Sequence, residues 1–447
     1  MNVHLTKISP TRLLLGGYCT IILIGTFLLS LPAASRDGAV TPVSDAFFTA
    51  TSAACVTGLV RFDTFSHWSL FGQIVILLLI QVGGMGFVTI VLAMYLLSKQ
   101  KIGLYSRILM RDAISAPNVG GIVRMTRFIL TGTVLIEGLG ALALAVYFCP
   151  RFGPAKGIYY SVFHSISAFC NAGFDLMGTE TPFSSLTAAV GNWYVNFVIM
   201  ALIIVGGLGF FVWQDLLESR FRFSGLRLHS KLVVVMTVTL TFGGAILLFV
   251  LENSGGAFSE LETGEKVLAS LFQSVTLRTA GFNTVDLAAM SESSTFLMIC
   301  LMLVGGSTGS TAGGMKTTTA AVLVLSIFAT FFRKRNVECF GRRLETGITR
   351  TASCIFMLYL GLLIGSTITI SAIEELPILT VMFETASAVA TVGLTLGITP
   401  GLSMASKLIL AFLMFFGRAG SLTMLLAFSS DRGPVASKKP LEKIQIG

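Results

Sequence analysis

Four short turns centred on glycine recur along the chain at nearly constant spacing. The intervals from Gly58 to Gly173, from Gly173 to Gly281 and from Gly281 to Gly393 are 115, 108 and 112 residues. A period this regular and this long indicates one structural unit used four times. The turns are Val56-Thr57-Gly58-Leu59, Asn171-Ala172-Gly173-Phe174, Thr279-Ala280-Gly281-Phe282 and Thr391-Val392-Gly393-Leu394, and similar residues precede them, namely Ser52-Ala53, Ser167-Ala168, Val275-Thr276 and Ser387-Ala388.

The composition indicates a membrane protein. Hydrophobic residues make up 54% of the chain and charged residues 12%, about half of the ~25% charged residues of a typical soluble domain. We therefore expect an all-α integral membrane protein with eight transmembrane helices, two in each repeat, in one membrane domain. The repeats are predicted at residues 1–97, 98–218, 219–332 and 333–447, and apolar stretches of spanning length, about 20 residues, begin near Leu13, Leu70, Arg127, Val195, Leu232, Thr295, Ala352 and Leu408.

A shorter apolar segment lies between the two helices of each repeat, at residues 43–54, 158–169, 264–277 and 378–389. Such a segment is too short to cross a hydrocarbon core of about 30 Å, so it must enter the membrane and turn back. Non-helical backbone at membrane depth is tolerated only where it is buried in protein or lines a water-filled cavity. The order predicted for each repeat is therefore helix, re-entrant pore hairpin and helix, with four turns around a pseudo-fourfold pore.

The distribution of charge predicts the orientation. Of the 31 lysines and arginines, 22 fall in segments expected on the same side as both termini. The positive-inside rule assigns this side to the cytoplasm. The opposite side carries 14 of the 22 acidic residues, so the outer mouth is net negative and attracts cations. The net charge of +9 is thus a signal of topology, and we expect no nucleic-acid partner.

A second glycine motif lies in the second helix of each repeat, at residues 83–87, 206–210, 305–309 and 417–420. In the first, second and fourth clusters we expect the glycines to let helices pack closely. The third cluster continues to Gly314 and is too rich in glycine to remain helical, since each glycine costs about 1 kcal/mol relative to alanine. We expect an unwound segment that lines the cavity, followed by a helix from about Thr317. Its residues are Gly305, Gly306, Ser307, Thr308, Gly309, Ser310, Thr311, Ala312, Gly313 and Gly314.

The segment from Gly309 to Thr317 also has features of a phosphate-binding loop. Met315 interrupts the required Gly-Lys step, however, and the segment interrupts a hydrophobic stretch instead of following a soluble strand. We therefore do not expect nucleotide binding there.

The glycine turns are suited to a monovalent cation. Peptide carbonyls from several chain segments can replace the hydration shell of such an ion without fixed charge. Glycine permits the backbone geometry that points a carbonyl inward, and a short helix whose C-terminal end meets the turn adds partial negative charge. No ring of carboxylates accompanies the turns, so we do not expect Asp or Glu to provide selectivity for divalent ions.

Three basic residues near these motifs allow more than one interpretation. Arg278 suggests either an anion site or a scaffold, and we prefer a scaffold paired with an acid such as Asp286 or Glu384, because a buried arginine needs a partner. Lys316 and Arg418 fall within predicted spans, where basic residues are rare and by default functional. Arg418 is either an electrostatic barrier in the cation path or a counter-ion that holds the unwound segment.

With these residues identified, the chain resembles the Trk/Ktr/HKT superfamily of potassium transporters over nearly its whole length. The resemblance rests on the four turns, on Arg278-Thr279-Ala280-Gly281-Phe282-Asn283, on Thr311-Ala312-Gly313-Gly314-Met315-Lys316 and on Arg418. It implies a homodimer with a pore in each subunit, K+ bound by the filter turns, and gating by the segment 305–314 with Lys316 and Arg418. In this family serine at the first filter glycine is associated with sodium preference, so Gly58 implies potassium.

The length and short tails are most similar to the bacterial Ktr membrane subunit. That resemblance implies a multi-pass protein of the bacterial plasma membrane that works with a separate cytosolic ring of nucleotide-binding regulatory subunits, with Na+ as a candidate activator.

The sequence leaves two other classes of function to compare, a coupled symporter and an enzyme. A sodium- or proton-coupled potassium symporter would need an ionisable group or a second cation site at mid-membrane. Glu137 is the one acid well inside a predicted span, and we expect it to make an interhelical or partner contact instead. An enzyme is not expected, because the four histidines, His4, His67, His164 and His229, are dispersed along the chain.

Overall fold

The computed structural model describes residues 10–86, 120–179, 181–253 and 255–420, together with Met424 and Glu442. Most of this part of the chain is helical, and the order of elements follows the four predicted repeats. The repeat numbers are used below as names for the four chain segments.

A long apolar helix opens each segment. By length and hydropathy all four are able to cross a membrane, and only 22–28% of the residues in their most apolar windows are buried inside the protein. The remaining side chains are available to lipid. These four first helices are Pro10–Ser30, Ile122–Phe152, Leu228–Glu252 and Ile348–Glu374.

A short helix follows in each segment and ends directly before the glycine turn. The first and fourth have the predicted bounds, whereas the second begins four residues early, because Pro154 is well suited to the first turn of a helix. The C-terminal end of every short helix therefore meets its turn. The short helices are Val43–Ala54, Pro154–Phe169, Thr263–Thr276 and Ile378–Val389.

The second helices are shorter than expected. The described residues contain four helices of spanning length, or five if Trp193–Leu208 and Phe210–Glu218, which are bent by 94°, form one span, and not eight. The reason is that these helices stop at the glycine clusters, where Gly86, Gly209 and Gly420 have φ values of 81°, 97° and 85°, a conformation that favours glycine and ends helices. The second helices are Leu70–Met85, Trp193–Leu208, Glu292–Met302 and Met404–Ala419.

The expected close packing at three clusters is confirmed. The first glycine of each of these clusters lies against the carbonyl oxygen of the last residue of the short helix in the same segment, and a Cβ atom there would overlap that oxygen. The glycine clusters thus both pack against the short helices and end the second helices. The pairs are Gly83 with Ala54, Gly206 with Phe169, and Gly417 with Val389.

The four segments are arranged in a closed cycle. The short helices of segments 2, 3 and 4 each pack against the second helix of the preceding segment, and the short helix of segment 1 packs against the second helix of segment 4. Segments 1 and 4 are not consecutive in the sequence, and at their contact Lys407 Nζ lies 2.5 Å from Asp45 Oδ1. The Nε atom of Arg61 lies 3.8 Å from the same oxygen. A largely buried ion pair therefore joins segments 1 and 4 and closes the cycle.

Two glutamates orient the second helices of segments 3 and 4, a role the sequence reasoning missed. Glu252 Oε1 accepts hydrogen bonds from the backbone N–H and hydroxyl of Ser291, at 2.9 and 2.6 Å. Glu374 Oε1 accepts the same two bonds from Ser403, at 2.9 and 2.6 Å. Each serine is the N-cap of its helix, so the glutamate fixes where the first helix ends relative to the start of the second.

The remaining elements connect these helices. A short helix, Thr64–His67, precedes Leu70–Met85, and a helix resumes at Thr317, as predicted, and runs to Phe331. The strands Glu338–Cys339 and Arg342–Arg343 form an antiparallel pair in segment 4, before its first helix. Turns of 3-10 helix occur at Pro32–Ala34, Thr187–Ala189, Phe223–Gly225, Gly256–Phe258, Leu287–Ala289 and Thr399–Gly401.

Candidate functional site

All four glycine turns begin with a strained backbone. The residue two positions before each glycine has a positive φ although it carries a side chain. Three of these residues are β-branched, for which this conformation is a genuine outlier, and such strain is concentrated at functional sites. The residues and their φ values are Val56 (56°), Asn171 (59°), Thr279 (70°) and Thr391 (53°).

The next residue of each turn donates its backbone N–H to a carbonyl near the end of its own short helix. Because N–H and C=O point in opposite directions across a trans peptide, the carbonyl of the strained residue before it points away from the short helix. The bonds run from Thr57 to Ser52 at 2.8 Å, from Ala172 to Ser167 at 2.8 Å, from Ala280 to Thr276 at 2.9 Å and from Val392 to Ser387 at 2.7 Å.

The four turns meet in a closed ring of contacts. Each glycine faces the carbonyl oxygen that precedes the glycine of a neighbouring turn, so closely that a Cβ atom would lie less than 3.0 Å from it. Each turn thus supplies one such carbonyl and one glycine, and the ring closes after four contacts. The contacts are Gly58 with Ala172, Gly173 with Ala280, Gly281 with Val392, and Gly393 with Thr57.

The twelve residues predicted for this site therefore come together, and they are buried. Backbone oxygens of several chain segments gather at one place, which is the arrangement that can replace the hydration shell of a monovalent cation. The C-terminal ends of four short helices add partial negative charge nearby.

A cavity of about 170 Å³ opens beside the turns of segments 3 and 4. Gly281 and Gly393 contribute to its wall, and so do Asn283, Thr395 and Asp286. Asp286 is exposed, and its Oδ1 accepts a hydrogen bond of 2.9 Å from the N–H of Ala288. An exposed carboxylate beside the cavity raises the local concentration of cations.

The segment 305–314 is not helical, as predicted, and it forms a loop closed at its base. The N–H of Gly305 bonds to the oxygen of Met315 at 2.9 Å, and the N–H of Thr317 bonds to the oxygen of Gly306 at 3.2 Å. The hydroxyls of Ser307 and Thr317 lie 2.9 Å apart. The loop is therefore an ordered part of the fold.

This loop contacts the turns or glycine clusters of two other segments. In segment 2, Thr311 donates its N–H to Gly206 at 3.3 Å and its hydroxyl to Phe169 at 2.9 Å. In segment 4, Gly313 lies so close to the hydroxyl of Thr391 that a Cβ would overlap it. The loop thus lies between segments 2 and 4, next to the first residue of the fourth turn.

Arg418 and Lys316 both bind backbone oxygens of this region. The guanidinium of Arg418 donates to the oxygens of Thr311, Gly83 and Gly84, the last at 2.8 Å. The ammonium group of Lys316 donates to Ala312 at 2.8 Å. Among the described residues neither forms a salt bridge. These contacts support a role for Arg418 in holding the loop, and they leave the role as an electrostatic barrier untested.

The prediction that Arg278 pairs with Asp286 or Glu384 is wrong, since among the described residues Arg278 forms no salt bridge. Arg278 is 8% exposed, its Nη2 donates to Thr241 Oγ1 at 2.9 Å, and its Nε has no partner. Glu384 instead accepts a hydrogen bond from Thr399. The reason is geometric, because Arg278 points to the first helix of its own segment and Glu384 to the chain that follows its own turn.

The interhelical role expected for Glu137 is confirmed. Its Oε2 accepts a hydrogen bond of 3.1 Å from Gln81, which joins the first helix of segment 2 to the second helix of segment 1.

The similarity to known proteins agrees with this site. A model of the TrkH family, described as cation transport proteins, matches residues 19–433. The chain belongs to this family of cation transporters. Its members are transporters and not enzymes, so the prediction that this protein is not an enzyme is confirmed.

Individual relatives cover almost the whole chain. The potassium/sodium uptake protein NtpJ of Enterococcus hirae is 41% identical over 99% of this chain and 98% of its own length. The Ktr system potassium uptake protein B of Bacillus subtilis is 38% identical over 95% of this chain and 94% of its own. Among solved structures, the potassium transporter TrkH from Vibrio parahaemolyticus matches with a TM-score of 0.73 and 18% identity, over 96% of this chain and 87% of that one. The resemblance to the Trk/Ktr/HKT superfamily is thereby confirmed.

Proposed function

We propose that this protein takes up potassium across the plasma membrane through a selectivity filter lined by backbone carbonyls. The observation that carries this proposal is the closed ring in which each of four glycines faces the carbonyl of a neighbouring turn. K+ is then the transported ion, bound at residues 56–58, 171–173, 279–281 and 391–393. The names of two relatives support potassium as a transported ion, since the Bacillus protein is a potassium uptake protein and the Enterococcus protein a potassium/sodium uptake protein.

The proposed architecture is one pseudo-fourfold pore in each subunit. The four repeats, 1–97, 98–218, 219–332 and 333–447, each contribute a helix, a re-entrant hairpin and a second helix, giving eight membrane segments. The described second helices end at or near their glycine clusters, and the closed cycle of short helices packed on second helices supports this arrangement.

The proposed gate is the loop 305–314 together with Lys316 and Arg418. The loop lies against the first residue of the fourth turn, and Arg418 ties it to segment 1. A loop in this position obstructs the cation path when the pore is closed, and its removal from the path permits conduction.

The proposed assembly is a homodimer with a cytosolic ring of nucleotide-binding regulatory subunits. Its support is the name of the Bacillus relative, a component of a Ktr system. The excess of basic residues in the segments predicted to share a side with both termini supports the proposed orientation. Both termini then lie in the cytoplasm of a bacterial cell.

A second candidate function is sodium-coupled or proton-coupled uptake. The specific observation that favours sodium is the name of the Enterococcus relative, a potassium/sodium uptake protein. In this case Na+ enters with K+ or activates its transport.

Both functions are tested with purified protein in liposomes. We expect K+ flux driven by a K+ gradient alone, inhibited little by Na+ outside the vesicle. K+ flux that appears only with an inward Na+ or H+ gradient would favour the symporter, and flux of both ions at equal rates would contradict a potassium filter.

A further inference from the structure

A fully buried hydroxyl group lies behind each of the four turns. It belongs to the last part of the short helix, five or six positions before the glycine. None of these side chains has any exposed surface. The four residues are Ser52, Ser167, Thr276 and Ser387.

In segments 1 and 4 the hydroxyl accepts a hydrogen bond from the glycine itself. The N–H of Gly58 lies 3.1 Å from Ser52 Oγ, and the N–H of Gly393 lies 3.0 Å from Ser387 Oγ. Because the peptide is trans, holding this N–H toward the helix turns the preceding carbonyl the other way. The preceding carbonyl in segment 1 is that of Thr57, which faces Gly393 in the ring.

In segments 2 and 3 the hydroxyl has the opposite role and donates. Ser167 Oγ donates to the oxygen of Phe174 at 2.6 Å, and Thr276 Oγ1 donates to the oxygen of Phe282 at 2.6 Å. Each of these oxygens belongs to the residue directly after the glycine. The hydroxyl therefore draws this carbonyl back toward the short helix and away from the ring.

We infer that these four hydroxyls are positioning residues that decide which backbone oxygens face the ion. In segments 1 and 4 they direct one carbonyl into the ring, and in segments 2 and 3 they withdraw one. The ring is thereby divided into two halves, since the neighbouring segments 4 and 1 share one pattern and the neighbouring segments 2 and 3 share the other. This inference rests on the proposed function, because it assigns the hydroxyls to the same filter.

The test compares isosteric variants for their K+ to Na+ flux ratio in liposomes. Thr276→Val removes the hydroxyl at nearly constant volume, whereas Thr276→Ser retains it. A net hydrogen bond changes an equilibrium by about fivefold, so we expect Thr276→Val to lower the flux ratio by about fivefold and Thr276→Ser to keep it near the parental value. Ser52→Ala and Ser387→Ala are expected to lower the ratio by a similar factor.

The matched control is Ser165→Ala. Ser165 is also fully buried in a short helix, but its hydroxyl bonds to the oxygen of Glu137 at 2.7 Å and not to a turn. It is expected to keep the parental flux ratio even if its thermal stability in detergent falls.

The outcomes separate this inference from the proposed function. A selective parent protein whose ratio is the same in Ser52→Ala, Thr276→Val and Ser165→Ala would overturn the inference alone, since the hydroxyls would then be structural. A parent protein that conducts K+ and Na+ equally would overturn both. If Ser52→Ala yields no folded protein, the Thr276→Val and Thr276→Ser pair still decides between the two roles.

Discussion

The guanidinium of Arg418, in the second helix of segment 4, donates a hydrogen bond to the backbone oxygen of Thr311, in the glycine-rich loop of segment 3. The same side chain donates to Gly83 and Gly84 in segment 1. One partly buried cation therefore joins three of the four segments at the loop that we propose as the gate. Its partners are carbonyl oxygens, so its charge remains available to act on a nearby ion.

The role of this charge is separable by substitution. Arg418→Gln keeps much of the side chain's length and hydrogen bonding but removes the charge, and Arg418→Lys keeps the charge without the planar fork. A barrier predicts faster K+ flux in Arg418→Gln and near-parental flux in Arg418→Lys, because a fixed positive charge opposes a cation at short range. Flux is measured in liposomes and normalised to the amount of detergent-stable protein.

If Arg418 only holds the loop, Arg418→Gln loses stability with little gain in flux per folded molecule. Equal normalised rates in all three proteins would show that Arg418 has no part in gating.

The four ring glycines are expected to tolerate no side chain. Gly58→Ser adds a Cβ less than 3.0 Å from the oxygen of Ala172 and should shift uptake from potassium toward sodium. Among glycine-to-alanine variants, Gly393→Ala is expected to be the most damaging, since its overlap with Thr57 is the closest. Relative uptake of K+ and Na+ in liposomes measures the effect.

Gly38 provides the control for backbone strain alone. Its φ of 67° is also positive, but nothing lies within 4 Å of a Cβ built there. Gly38→Ser should therefore keep the parental selectivity. Unchanged selectivity in a well-folded Gly58→Ser protein would remove this turn from the ion path.

Shortening the glycine-rich loop is expected to open the pore. Deletion of several residues within 307–312 removes the contacts of Thr311 with segment 2 and with Arg418. Flux per folded molecule should rise and depend less on a regulatory partner. Flux and regulation equal to those of the parent would reduce the loop to a packing element.

Arg278 is expected to behave as a buried charge with a single described partner. Thr241→Val removes that partner and should lower stability by about 1–3 kcal/mol, the usual cost of an unsatisfied buried donor. Arg278→Met should cost less, because it removes the charge together with its need for a partner. Thermal unfolding of both variants and of the double variant in detergent tests this order. A greater loss in Arg278→Met than in Thr241→Val would indicate that the charge itself stabilises the fold.

The local elements of this protein were accessible from the sequence because they depend on short-range rules. The short helices Val43–Ala54 and Ile378–Val389 were predicted at their observed bounds, since a short apolar stretch before a glycine turn has few alternatives in a membrane. The break at residues 305–314 and the helix from Thr317 were predictable for the same reason, as consecutive glycines do not hold a helix. The regular spacing of the glycines likewise predicted that the twelve residues of the four turns lie around one site.

Hydrogen-bond partners that are distant in sequence were identified only from the tertiary structure. Nothing in the order of residues indicates that Arg278 bonds to Thr241, or that Arg418 reaches Thr311 across 107 positions. The sequence does show a Ser or Thr five or six positions before each glycine, as at Ser52 and Thr276, but it does not show whether each hydroxyl accepts or donates. Composition, periodicity and backbone propensity are properties of neighbouring residues and can be read along the chain. Which side chain satisfies which buried polar group is decided only when the four segments close into a cycle, because that closure determines which atoms are within hydrogen-bond distance.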